Sequence, residues 1–341
     1  MTKVYFKEMK DLDNKELVDS TIYEMLDKIV TENNIKLEKK VPLKVHFGEK
    51  GNTTFITPDN FDGVKRYLKD NGIESCYMDT NVLYKGSRTK TKDHIKTAHE
   101  HGFTDLDVII ADGDEENPYH EVEINLKQFD KCKIGTKYKD YNQYIVLCHF
   151  KGHIKAGIGS AIKQLAMGFA SRGGKMHQHS ASVPKIKSDA CISCETCIDS
   201  CPANAIYMDD KAHIDKNKCL GCAACTIKCP VNAITNTWDS DHFNEKLAEY
   251  AYAAAKDKTN IYITYVMNIT QNCDCSGEAQ TPIAENIGIL ASIDPVALDK
   301  AAFDKFKEIN NDPHFAILEL TLEYAEEIGL GTSKYELINM D

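Results

Sequence analysis

Several features that would set a protein's class are missing from this sequence. No apolar run approaches the roughly 18 residues needed to cross a bilayer, so no membrane span is expected. Basic residues are not in excess. The 41 Lys and Arg stand against 52 Asp and Glu, a formal net charge of −11, which argues against a nucleic-acid backbone as the main partner. The opening stretch MTKVYFKEMKDLDNKELVDS is too polar and acidic for a secretory leader, and a cytoplasmic location is expected. There is no GxxxxGK[ST] phosphate loop, and no helix-turn-helix with a basic face supports a role in sensing on DNA.

What the chain does hold is cysteine, 13 among 341 residues. The count is odd and no leader is visible, so a disulfide framework is not expected. In a reducing compartment such cysteines serve as metal ligands or redox groups. The apolar share of 42% and charged share of 27% are ordinary for a globular protein.

Periodicity divides the chain into three parts. Residues 1–184 alternate between strand-like runs (VYF, LKVHF, ESCYM, LDVIIAD, YIVLCHF) and helical spacings such as Leu17, Ile22, Leu26 and Ile29. That alternation predicts an α/β fold with a mostly parallel sheet. Its last stretch reads as a Gly-rich basic loop (151–160), a helix (161–172) and a loop rich in Gly, His and Ser. Residues 185–237 are cysteine-dense. Residues 238–341 return to helices and strands, with Asp294 as a helix N-cap and Pro295 at the first helical position. They offer too few strands for a sheet of their own, so they are expected to complete the sheet begun by residues 1–150. The cysteine segment would then be an α+β insertion.

That segment carries Cys191-x2-Cys194-x2-Cys197-x3-Cys201-Pro202 and then Cys219-x2-Cys222-x2-Cys225-x3-Cys229-Pro230. CPANAIYM and CPVNAITN mark an internal duplication. Iron in a cubane wants thiolate sulfur. Two-residue spacers let a tight loop aim three thiols at one cube, while the fourth cysteine, at a Pro-marked change of direction, points elsewhere. Zinc sites of four ligands usually have longer gaps between their CxxC pairs. The spacing resembles that of bacterial two-cluster ferredoxins, in which the fourth cysteine of each run serves the other cluster. On that pattern one [4Fe–4S] cluster takes Cys191, Cys194, Cys197 and Cys229. The second takes Cys219, Cys222, Cys225 and Cys201.

The flanks add a second resemblance. The segments 149–180, NITQNCDCSG (268–277), IGILASIDPVALDKAAFD (287–304) and LEYAEEIGLG (322–331), with the cysteine runs between them, resemble the DUF362 family of iron–sulfur proteins. The resemblance implies an α/β domain with a redox or maturation role, mostly in anaerobic organisms, and carries over no proven catalytic residue.

From the residues themselves, Cys273 and Cys275 project two thiols from one turn. They are poorly placed for an unstrained disulfide and suit a metal, a third cluster, redox thiols or simple packing. His149, His153, His177 and His179 cluster in sequence, and imidazole can complete a mixed metal site with thiols. His177 and His179 would point the same way on an extended strand. The helix start in GIGSAIK, which carries Lys163, offers backbone N–H groups to an anion. The candidate catalytic set is therefore Cys273, Cys275, His149, His153 and Lys163. His177 and His179 with the two thiols form a candidate further metal or substrate site. The function expected is electron transfer from the two clusters to this region, reducing an anionic small molecule or a metal or cofactor centre, with a ferredoxin or reductase as redox partner. The alternative is a carrier or metallocluster assembly protein without a small-molecule substrate.

Overall fold

The computed structural model describes every residue except 85, 114–117, 180–182, 202–203, 217, 220–223, 236–241 and 341. The first part supplies β1 (Thr2–Glu8), α1 (Lys15–Glu32), β2 (Leu43–Lys44), α2 (Asp62–Asp70), β3 (Tyr77–Asp79), α3 (Thr91–Glu100) and β4 (Val108–Ile110). It continues with β5 (Tyr119–Glu123), β6 (Lys131–Gly135), β7 (Ile145–His149), β8 (Lys151–His153), β9 (Gly157–Gly159), α4 (Ala161–Phe169) and α5 (Arg172–His179). The cysteine segment holds β10 (Lys185–Ile186), α6 (Thr196–Asp199), β11 (Ile206–Met208), β12 (Ala212–Ile214), α7 (Ala224–Lys228) and β13 (Ile234–Thr235). The last part is α8 (Phe243–Ala255), β14 (Ile261–Val266), β15 (Gly288–Ser292), α9 (Pro295–Lys307), α10 (Ile317–Glu327) and β16 (Tyr335–Asn339).

Strands from both ends of the chain share one eight-stranded sheet, ordered β16-β1-β15-β14-β7-β2-β3-β4. Only β15 runs antiparallel to its neighbours; the remaining pairs are parallel. The fold is α/β with a mostly parallel sheet. β7 and β14 are buried along their whole length, which is why both read as unbroken apolar runs. On one face, Val146, Cys148 and Leu290 meet α4, α8 and α9. On the other, Ile145, Leu147 and Ile263 meet α1 and α2.

Two stretches differ from expectation. The Gly-rich stretch after β7 is a hairpin, β8 pairing with β9. A Cβ on Gly152 would meet Gln271 O at 2.2 Å, so glycine here permits direct backbone contact. The Gly- and His-rich stretch beyond α4 is the helix α5. Ser171 Oγ accepts the Gly174 N–H at 3.2 Å, and a Cβ on Gly174 would meet Lys133 O at 2.3 Å. Glycine thus lets this helix lie against β6, and packing overrides its low helical propensity.

The cysteine segment pairs its first strand with its last, β10 with β13, around the hairpin β11–β12. It has its own small core, including Cys197, Ile206, Cys225, Cys229 and Ile234. The sequence duplication is visible in the backbone. Asn204 and Asn232 both take positive φ. The N–H of the following alanine donates to a cysteine in each half, Ala205 to Cys201 Sγ and Ala233 to Cys229 Sγ, both at 3.2 Å. Among the described residues no helix is long and apolar enough to cross a membrane.

Candidate functional site

Parallel α/β sheets place ligand sites beyond the C-terminal ends of their strands, and here four strands deliver chemistry to one such edge. His46 follows β2, Asp79 ends β3, His149 ends β7, and the loop after β14 carries Cys273, Asp274 and Cys275. That loop is pinned by backbone contacts. Gly152 N–H donates to Thr270 O at 2.7 Å and Glu49 N–H to Asp274 O at 3.0 Å. Asn52 Nδ2 donates to Ser276 O at 3.2 Å. A Cβ on Gly51, whose φ is +92°, would meet Gly277 O at 2.3 Å, so this close approach requires glycine.

The two thiols face each other with Sγ atoms 3.2 Å apart. Lys163 Nζ lies 3.5 Å from Cys273 Sγ, and His46 Nε2 lies 3.5 Å from Cys275 Sγ. His46, Cys273 and Cys275 bring ligand-type atoms within 4.8 Å of one another, a donor set able to hold a metal ion. They line a cavity of about 60 Å³ together with Arg88, Lys151, Lys163 and Lys175.

Electrostatics divide the two cysteines. The sulfur–sulfur hydrogen bond shared with Cys275 outweighs burial and, with Lys163 and Lys151, pulls the Cys273 thiol well below its ordinary pKa. The same bond, with burial, pushes Cys275 well above it. Between them Asp274 is fully buried. Burial opposes its ionisation, but His149 and Lys151 hold the carboxyl well below the usual range. His149 Nδ1 faces Asp274 at 2.9 Å and its Nε2 faces Met267 O at 2.8 Å; Lys151 Nζ reaches Asp274 at 3.2 Å. Asp79 pairs with Lys44 at 3.0 Å and Arg88 at 3.5 Å. Lys175, fully desolvated, is pushed down to about 8.

Of the residues singled out from sequence, Cys273, Cys275 and Lys163 meet directly, and His149 acts on them through Asp274. His153 turns away: its Nδ1 accepts the Lys155 and Ala156 N–H groups. His177 and His179 lie on a helix rather than an extended strand, and residues two apart on a helix do not face each other. His177 bonds Tyr250 Oη at 3.1 Å, and His179 stacks on Phe243 at 5.2 Å. The imidazole beside the thiols belongs to His46 instead. The amides at the start of α4 are also taken. Ala161 and Ile162 N–H donate to the Asp299 carboxylate at 2.8 and 2.9 Å, so the chain's own carboxylate fills the expected anion site. His46, Asp79 and Arg88 were missed. Only His46 gave a signal, as the polar residue ending the LKVHF run.

A second, smaller cavity lies in the cysteine segment. Cys191, Cys194, Cys197 and Cys229 line it with apolar neighbours including Ile186, Met208 and Val231. Three of these cysteines come from the first run and one from the end of the second. Cys201, Cys219 and Cys225 belong to the other expected set; Cys222 lies outside the described residues.

Fold and site together define an α/β protein with a cation-lined thiol pocket at the C-terminal edge of its sheet. A family model described as "Domain of unknown function (DUF362)" matches residues 41–304, and the chain belongs to that family. No curated protein matches. Among solved structures, the chain is similar to a protein from Thermotoga maritima, with TM-score 0.46 and 10% identity over 94% of this chain and 60% of that one. It is also similar to the lactate racemase apoprotein from Thermoanaerobacterium thermosaccharolyticum, with TM-score 0.41 and 11% identity over 77% and 50%. The chain thus spans between half and three-fifths of the length of those structures.

Proposed function

We propose that this chain is an iron–sulfur redox protein whose two [4Fe–4S] clusters, held by residues 185–237 in the manner of a two-cluster ferredoxin, supply single electrons to the thiol pocket, where an anionic small molecule or a metal or cofactor centre is reduced. One observation carries the reading: Cys191, Cys194, Cys197 and Cys229 surround a single apolar cavity. Three thiols of one run with the fourth from the other are the ligand set that each cubane of a two-cluster ferredoxin takes. Cys219, Cys225 and Cys201, with Cys222, would hold the second cluster. The Ala205 and Ala233 amides donate to ligand sulfurs, a contact that stabilises thiolate charge and raises reduction potential. In the pocket, Arg88, Lys151, Lys163 and Lys175 outnumber the acidic groups of the lining and supply the positive charge that holds an anion beside Cys273. A ferredoxin or reductase is the proposed electron donor.

The test is iron and sulfide content after anaerobic purification. About eight of each per chain are expected for two cubanes, with Cys229→Ser removing the cluster assigned to the first run. Two zinc ions and no sulfide would sink the reading. Dithionite-reduced viologen with small carboxylates and oxyanions then tests the pocket: oxidation of the dye that depends on an anion supports a reductase. Its absence with every anion would favour the carrier or assembly alternative.

A further inference from the structure

The donor set at the thiols invites a metal, yet His46 is arranged for another task. Gly48 N–H donates to His46 Nδ1 at 3.1 Å, so that nitrogen presents its lone pair. In neutral imidazole the proton then sits on Nε2, the atom 3.5 Å from Cys275 Sγ. A histidine that ligates metal has the reverse arrangement, with its lone pair on the metal and its other N–H given to an oxygen acceptor. Here the other nitrogen meets a donor. The Gly48 amide is also fixed in place: its residue has φ +74°, and a Cβ there would meet Phe55 Cδ1 at 2.7 Å.

We propose that Cys273 and Cys275 form a thiol–disulfide couple, which collects single electrons and releases them as a pair together with one proton. The inference rests on the proposed delivery of electrons to this pocket. In the reduced form Cys273 is a thiolate beside Lys163 Nζ, Cys275 is a thiol, and His46 Nε2–H donates to the Cys275 sulfur. On oxidation the Sγ–Sγ bond forms, and two electrons and the Cys275 proton pass to a small oxyanion, one of whose element–oxygen bonds breaks with the oxygen leaving as hydroxide. On reduction two single electrons from the reduced clusters break that bond, and one proton from solvent restores the Cys275 thiol. The sulfurs must approach by only about 1 Å to bond. A ring closed through a Cys-x-Cys segment is strained, and strain makes a disulfide more readily reduced. That suits a couple which must be reopened at each turn. The cavity of about 60 Å³ limits the acceptor to a few heavy atoms, and Lys151 and Lys163 select a negative charge.

The experiment uses protein purified anaerobically with its native metal content. It is equilibrated in glutathione redox buffers, quenched with acid, alkylated and digested with trypsin. The peptide 259–300 contains Cys273 and Cys275 and no other cysteine. The expected result is loss of both alkylations in a single step, giving a peptide lighter by two hydrogen atoms, with dithionite restoring both. His46→Gln keeps a side-chain N–H donor and is expected to keep the couple. Two thiols that stay alkylatable, or only glutathione adducts, across the oxidising range would overturn the proposal. So would one zinc, or iron beyond the two clusters, that is lost in both Cys273→Ser and His46→Gln. Iron content of the same sample reads the cluster assignment separately. A working couple without iron removes that assignment and leaves the couple, whereas full iron with inert thiols does the opposite.

Discussion

The neighbours of Cys273 pull its thiol toward the charged form. A buried thiol is ordinarily pushed toward its neutral form, as Cys132 and Cys148 show in the core. Cys273 goes the other way because the hydrogen bond shared with Cys275 and the ammonium groups of Lys163 and Lys151 outweigh burial. Lys163→Met is therefore expected to move the pH profile of Cys273 alkylation to higher pH. On the acid limb of the profile it should slow the reaction about tenfold, the effect of a one-unit shift, and change the plateau little. An unchanged profile, read by iodoacetamide mass spectrometry, would assign the thiolate to Cys275 and Lys151 alone.

The helix α4 shows how one element serves both stability and site. Its first amides are capped by Asp299 from α9, and burial raises that carboxyl to about 6 despite those bonds. The native state then holds a proton between the ordinary aspartate pKa and about 6 that the unfolded chain has lost. Stability from this group is full at low pH and falls as pH rises through that window. Asp299→Asn does not titrate. The stability of the wild type relative to this variant should fall by about 2 kcal/mol between pH 4 and 7, measured by urea denaturation. In the last turn of α4, Gly168 makes room for the Lys44 ammonium: a Cβ would meet Nζ at 2.5 Å and Cε at 2.4 Å. Helix propensity alone says that alanine should stabilise by about 1 kcal/mol. The close contact predicts the opposite sign, with Gly168→Ala destabilising by about 2 kcal/mol and disturbing the Lys44–Asp79 pair. Equal or greater urea resistance in Gly168→Ala would count against this account of the glycine.

For the whole molecule, the sheet order decides what can fold alone. β14 lies between β7 and β15, and β15 joins it to β1, so residues 1–184 lack the strands that link β1 to β7. A fragment 1–184 is expected to show no cooperative thermal transition by circular dichroism. Replacing residues 185–237 with a short flexible linker should preserve one, because the main sheet takes no strand from that segment. Cooperative unfolding of the fragment would overturn this reading of the architecture.

Local rules were enough to read the two Cys-x2-Cys-x2-Cys-x3-Cys-Pro runs, the α/β alternation and the Asp294 cap, because spacing within a few residues fixes which groups can meet. Buried parallel strands such as β7 and β14 also show directly as apolar runs. The helix α5 was hidden because its glycines answer to packing against β6, which propensity does not see. The thiol pocket was half visible. The Cys-x-Cys pair stands out, but His46 meets Cys275 across 229 residues of chain and Asp274 meets His149 across 125. Which strand ends share an edge is set by the order of the sheet, and no local pattern encodes it. The sequence by itself determined the chemistry available, two evenly spaced runs of thiols and a Cys-x-Cys pair. The tertiary structure alone decided which imidazole, which carboxylate and which ammonium surround that pair, because burial and distance, the two terms that set a thiol's charge, exist only once the sheet has closed.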